Sequence, residues 1–229
     1  MEKAKILDLI TIELMESKLS PYWWPDNMYP TNSFSDAFKH LILTVLSQNT
    51  SEANSIKAYR SLSSKFKIKP TLLADASLKD LREGIKIGGL YNIKAMRIKK
   101  LSKEILDKFD GRLDQVLALP KEKAKKILKG LPGVGNKTAD VLLIRIHSYK
   151  KVIPIDTHYM RIAECLGLVN PGASYDEIQK AIISFIPKEN RERTAGLLWL
   201  LAKHQCKVVR PKCGCCPLKK MCKYRSTQN

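Results

Sequence analysis

Helical periodicity constrains this chain more than any other feature of its sequence. Phe38, Leu41, Ile42, Val45 and Leu46 recur at i, i+3, i+4, i+7 and i+8, so a helix over this stretch carries one apolar stripe. Ala95, Ile98, Leu101 and Ile105 repeat the pattern, as do Ile178, Ile182 and Phe185. Leu197, Leu198, Leu200 and Leu201 make a helix apolar on nearly every side, which belongs inside a core. Breakers punctuate these runs at Pro70, Gly88, Gly89, Gly111, Pro120, Gly130 to Gly135, Pro154, Pro171 and Pro187. No run alternates over a strand's length. Val152 to Ile155 is apolar but short, and Pro154 lacks the N–H that a central strand must donate. The pattern predicts an all-α protein of roughly ten helices. The least regular stretch, Pro21 to Ser33, holds three prolines and the pair Trp23-Trp24. Core or interdomain packing is the expected role of that pair, with base stacking the alternative.

With 229 residues, 44% of them hydrophobic, the chain can bury a core as one ordinary domain or two small ones. That excludes a disordered tail. No window approaches about 18 uninterrupted apolar residues. The opening run MEKAKILDLITIEL is broken by acids and lacks a small-residue cleavage site. An intracellular protein without a membrane span or signal peptide is therefore expected. A formal net charge of +19 implies a polyanionic partner, most often nucleic acid. The charge is uneven: Lys121 to Lys151 carries nine basic residues against two acids, and His204 to Asn229 carries seven against none. Solvated lysine-rich faces would account for that much. Both segments, however, also carry motifs.

In the first, Leu128-Lys-Gly-Leu-Pro-Gly-Val-Gly-Asn-Lys-Thr-Ala139 separates two amphipathic segments, one ending near Lys129 and one starting near Asn136. Gly133 and Gly135 permit a tight turn around Val134 with bare N–H groups, and the following helix adds its positive end. Such a turn either binds a phosphate or simply caps the first helix. In the second, Cys206, Cys213, Cys216 and Cys222 are spaced Cys-x6-Cys-x2-Cys-x5-Cys in a basic loop with little apolar material. That loop needs a cross-link to order it, and zinc and an iron–sulfur cluster are both compatible with four thiols. Cys215 stays unassigned, and Cys165, on an apolar helix face, reads as a core thiol. His40, His147 and His204 form no metal-like grouping. Asp156 stands just before a helical segment, where an N-cap is the plain interpretation.

Taken together, Leu131-Pro-Gly-Val-Gly-Asn-Lys-Thr-Ala139, Ile153-Pro-Ile-Asp-Thr-His-Tyr-Met-Arg161, Leu46-Ser-Gln-Asn-Thr-Ser-Glu52, Gly89-Leu-Tyr-Asn-Ile-Lys-Ala95 and the cysteine spacing resemble the endonuclease III family. This family belongs to the helix–hairpin–helix superfamily of DNA repair proteins, and the motifs run in its order from about residue 36 to 222. The resemblance implies a helical barrel domain over 34–150 that contains the hairpin. It also implies a smaller helical iron–sulfur domain from 1–33 and 151–229, with the active site in the cleft between the two. Lys137 and Asp156 match the catalytic positions, Gly133, Val134 and Gly135 the phosphate-binding hairpin, and Cys206, Cys213, Cys216 and Cys222 the ligands of a 4Fe–4S cluster. Leu90 matches the wedge in the opposite strand, and His158 either touches the sugar or phosphate or packs at its helix start. The family commonly reads Ser-x-Gln-x-Thr where this chain has Ser47-Gln48-Asn49-Thr50, so either Gln48 or Asn49 fills the gap left by a flipped base.

The implied activity is base-excision repair by a bifunctional DNA N-glycosylase and AP lyase acting on oxidised pyrimidines of the thymine glycol type. Its partner is double-stranded DNA bearing damaged bases or abasic sites, and a monomer is expected. A mismatch thymine/uracil or adenine glycosylase is the alternative within the superfamily, though these relatives lack the lysine. A non-catalytic DNA-binding iron–sulfur protein is the alternative from another class.

Overall fold

The computed structural model describes residues 6–23, 28–30, 33–34 and 36–226, apart from the side chains of 145–150 and 225–226. Trp24 and the side chain of His147 lie outside the described residues. The described chain is all-α, with no strand. In chain order the helices are α1 (Leu9–Leu19), α2 (Ala37–Ser47), α3 (Glu52–Lys65), α4 (Pro70–Asp75), α5 (Leu78–Ile85), α6 (Tyr91–Phe109), α7 (Asp114–Leu117), α8 (Lys121–Lys129), α9 (Asn136–Lys151), α10 (Thr157–Leu166), α11 (Tyr175–Phe185), α12 (Arg191–His204) and α13 (Lys223–Ser226). The excess over about ten comes from α4, α7 and α13, which are only six, four and four residues long and too short to show a period. Polar caps start many of the longer helices: Asp8, Asp36, Ser51, Ser77 and Ser174 each accept from a backbone N–H of the first turn.

Two compact units result, residues 25–146 and residues 1–24 with 147–229. The first is organised around α2. Where the sequence predicts one apolar stripe, every residue from His40 to Leu46 is buried, because α3, α6 and α7 all pack against this helix. Its buried Thr44 is satisfied locally, since Oγ1 donates to the His40 carbonyl at 2.7 Å. Lys125 Nζ, on α8, lies 3.1 Å from Asp140 Oδ2, on α9, in a buried ion pair that fastens the two arms of the helical hairpin together.

The other unit is organised around α12, which buries Thr194, Ala195, Leu197, Leu198, Leu200, Leu201 and Ala202 and packs against α1 and α10. Trp23 packs here. A Cβ on Gly196 would stand 2.5 Å from its ring, so only glycine admits the indole. The Arg193 guanidinium lies 3.5 Å above the same ring and pairs with Glu16. Val152, Ile153 and Ile155 are buried in an irregular segment leading into α10. No described helix is long and apolar enough to cross a membrane.

Candidate functional site

The glycine turn takes the shape its sequence dictates. After α8, Leu131 and Val134 are buried, and the Val134 N–H donates to the Leu131 carbonyl at 3.1 Å. This closes the turn and leaves Gly133 and Gly135 at the surface. Gly133 has φ +74°, which favours glycine, and a Cβ there would stand 2.3 Å from the Arg97 side chain, which would have to move. The first intrahelical bond of α9 runs from the Ala139 N–H to the Gly135 carbonyl at 3.0 Å, so the N–H groups before it lie at the positive end of the helix. Lys137 is exposed there, two residues past Gly135.

The segments holding Gln48, Asn49 and Leu90 lie in the same unit as this turn. Gln48 Nε2 donates to the Gly133 carbonyl and to Thr138 Oγ1, both at 3.2 Å, while Gln48 Oε1 accepts from Arg97 Nη1 at 2.5 Å. Its amide is thus committed to the hairpin. Asn49 is exposed and left-handed, with φ +52°, and Leu90 is half exposed with φ +49°. A left-handed conformation strains a leucine by about 1–2 kcal/mol. Arg97, which the sequence gives no reason to single out, donates to Gln48 and lies against Gly133.

Asp156 occupies the N-cap of α10, as its position before the helical period suggests. Oδ1 accepts from the backbone N–H groups of His158 at 3.0 Å and Tyr159 at 3.1 Å. Oδ2 accepts from Trp199 Nε1 at 2.7 Å. Both oxygens are therefore held, one by the helix and one by an indole from α12. His158 sets its ring edge-on to Trp199, with centroids 5.3 Å apart, and its Nδ1 lies 3.1 Å from Arg161 Nη2. Trp199 eludes sequence reasoning because it sits among leucines and reads as core.

The cysteine tail surrounds a cavity of about 200 Å³ lined by Cys206, Cys213, Cys216 and Cys222, with Arg161 among the other lining residues. Cys165 lines it too, which corrects its assignment as an ordinary core thiol. Arg161 donates from Nε to the Cys206 carbonyl at 2.7 Å and from Nη2 to the Ala202 carbonyl at 2.6 Å. This clamps the start of the tail to α10, and Cys165 lies four residues on, along the same helix face. A hydrogen bond with Cys165 pulls the Cys206 thiol down to about 6, and the Arg161 charge pulls the same way. Burial pushes the Cys216 thiol up to about 11, and the thiols of Cys206, Cys222 and Cys213 add to the rise. Four thiolates brought this close repel one another unless a cationic group sits among them. Among the described residues no three His, Cys, Asp or Glu side chains are grouped to hold a single metal ion. Cys215 is exposed, its Sγ 3.5 Å from the Lys212 carbonyl.

Residues 42–188 match the family of HhH-GPD superfamily base excision DNA repair proteins. The chain is 34% identical to the endonuclease III of Thermotoga maritima over 190 residues, covering 83% of this chain and 84% of that one. It is 29% identical to the endonuclease III of Escherichia coli over 98% of both chains. The solved structure of a trapped endonuclease III–DNA covalent intermediate superposes with a TM-score of 0.75 at 27% identity, over 96% of this chain and 95% of that one.

Proposed function

The chain belongs to the HhH-GPD superfamily of base excision DNA repair proteins, and on that premise we propose that it is a bifunctional DNA N-glycosylase and AP lyase acting on oxidised pyrimidines of the thymine glycol type. The observation that carries this reading is Lys137, an exposed amine directly behind an open glycine turn at the positive end of α9. The turn Gly133-Val134-Gly135 receives a DNA phosphate on the backbone N–H groups that it leaves open, the Val134 N–H being held by Leu131, and brings the strand to that amine.

The lone pair of the Lys137 amine attacks C1′ of the damaged nucleoside. The glycosidic bond breaks, and the base leaves with its electron pair. The sugar ring opens to a Schiff base on Nζ, which makes the C2′ proton acidic. Loss of that proton expels the 3′ phosphate and nicks the strand. Positive charge grows on the deoxyribose as the glycosidic bond breaks, and the carboxylate of Asp156 offsets it. Three hydrogen bonds fix that carboxylate beforehand, so little reorganisation is needed at the moment of reaction.

The target base must first leave the helix stack. Asn49 fills the gap and Leu90 wedges the opposite strand: both are exposed, whereas the Gln48 amide is tied to the hairpin. His158 packs its ring against Trp199 with Nδ1 beside Arg161, which supports a role at the start of α10 over a contact with the sugar or phosphate. The cavity that all four cysteines line suits a 4Fe–4S cluster held by Cys206, Cys213, Cys216 and Cys222. When bound, it supplies the cross-link that a basic segment with little apolar surface needs to stay folded.

Borohydride trapping on a duplex containing thymine glycol tests the chemistry. The expected outcome is a covalent protein–DNA adduct with the native protein and none with Lys137→Ala. An adduct that persists in Lys137→Ala overturns the nucleophile assignment.

A further inference from the structure

Lys94 is 2% exposed, an unusual place for an ammonium group. Its Nζ donates to the Leu46 carbonyl at 2.7 Å, to Thr50 Oγ1 at 2.5 Å and to the Gly88 carbonyl at 3.1 Å. All three donors are used, and no carboxylate is among the partners. The acceptors come from the ends of two different segments. Leu46 lies in the last turn of α2, whose four terminal carbonyls have no partner within the helix. The other three are met by neighbours: Thr44 by Ser47 Oγ, Val45 by the Gln48 N–H and Ser47 by the Thr50 N–H. Only Lys94 reaches across from another element, to complete the set at Leu46. Gly88 closes the short 3-10 turn Lys86–Gly88, and the Thr50 hydroxyl also donates to its carbonyl at 2.7 Å. Both ends present negative dipole to the ammonium. Burial and the nearby Arg97 pull the Lys94 pKa down, so the charge is kept there at a cost.

Asn49 follows one of these ends by three residues and Leu90 follows the other by two. Both are left-handed. We propose that Lys94 is a positioning residue for strand insertion, a single buried cation that fixes the spacing and angle between the residue that fills the gap and the residue that wedges the opposite strand. This inference rests on the DNA repair activity proposed above. It adds that the two inserting residues act as one rigid unit and that Lys94, which touches no DNA, makes them so.

Lys94→Met keeps the length of the side chain and removes its donors. Single-turnover cleavage is compared on three substrates: a paired thymine glycol duplex, the same lesion in an unpaired bubble, and a single-stranded abasic oligonucleotide. Unstacking a paired base costs a few kcal/mol and tenfold in rate is about 1.4 kcal/mol, so the paired duplex is expected to slow by about tenfold or more. The bubble and the single strand are expected to stay within about twofold of the native protein. Equal slowing on all three substrates, or no slowing on the paired duplex, overturns the proposal. Should Lys94→Met fail to fold, Thr50→Val removes one acceptor and the bridge to Gly88, and the same selective loss is required of it. If the native protein cleaves none of the three, the repair activity itself is what fails.

Discussion

The hydrogen bond from Trp199 to Asp156 makes a stability prediction that does not depend on catalysis. In Asp156→Asn the amide has one usable orientation. Its oxygen must take the Oδ1 place, where two backbone N–H groups converge, so its NH2 group faces the Trp199 Nε1–H across 2.7 Å. Asparagine caps a helix about as well as aspartate, so the cap itself changes little. The loss falls on the Trp199 side, where a bond to a charged acceptor, worth about 1.5–3 kcal/mol, becomes a contact between two donors. For a chain of this size each kcal/mol moves Tm by about 2–4 °C, so Asp156→Asn is expected to lower Tm by about 3–12 °C. Trp199→Phe removes the opposing donor. In that background Asp156→Asn is expected to cost less than about 1 kcal/mol, which leaves a coupling of at least about 0.5 kcal/mol in a thermal-unfolding double-mutant cycle at matched iron content. If the two substitutions add independently, Trp199 does not hold the carboxylate, and the preorganisation argued for Asp156 loses its support.

Two further substitutions probe the hairpin and the tail. Gly133→Ala must place a Cβ at positive φ and move the Arg97 side chain, so a loss of about 1–2 kcal/mol and weaker binding to undamaged duplex are expected. Adding Arg97→Ala relieves the collision but not the backbone strain, and an unchanged Tm in Gly133→Ala contradicts the strain at this position. Cys216→Ser, purified without air, is expected to lose iron, sulfide and the broad visible absorption, whereas Cys215→Ser keeps them. Equal iron in the two variants refutes the ligand set.

The sequence reveals this molecule best where a local rule is strong. Periodicity places the long helices, the glycines of residues 130–135 place the turn between α8 and α9, and Asp156 caps the helix that follows it. What sequence hides is pairing across distance. Nothing near Trp199 in the chain predicts an acceptor 43 residues away. Cys165 reads as core because its neighbours are apolar, yet Arg161 brings the tail to its face of α10. Lys94 looks like one more basic residue on a helix until the ends of α2 and the Lys86–Gly88 turn fold against it. The choice between Gln48 and Asn49 depends on hydrogen bonds to Gly133, Thr138 and Arg97, which no spacing rule contains.

Two buried lysines also bear on how the protein should respond to salt. Affinity for a duplex falls with rising salt by about 0.9 log units per log unit for each phosphate neutralised, because each contact releases condensed counterions. Lys94 and Lys125, 2% and 8% exposed, meet carbonyls, a hydroxyl and a carboxylate instead of phosphates. They count toward the formal +19 yet release no ions when DNA binds. Removing Lys94 therefore shifts the binding curve without tilting it against salt. Removing a surface lysine that meets a phosphate changes the tilt as well, and that difference separates the cations that hold the fold from the cations that hold the DNA.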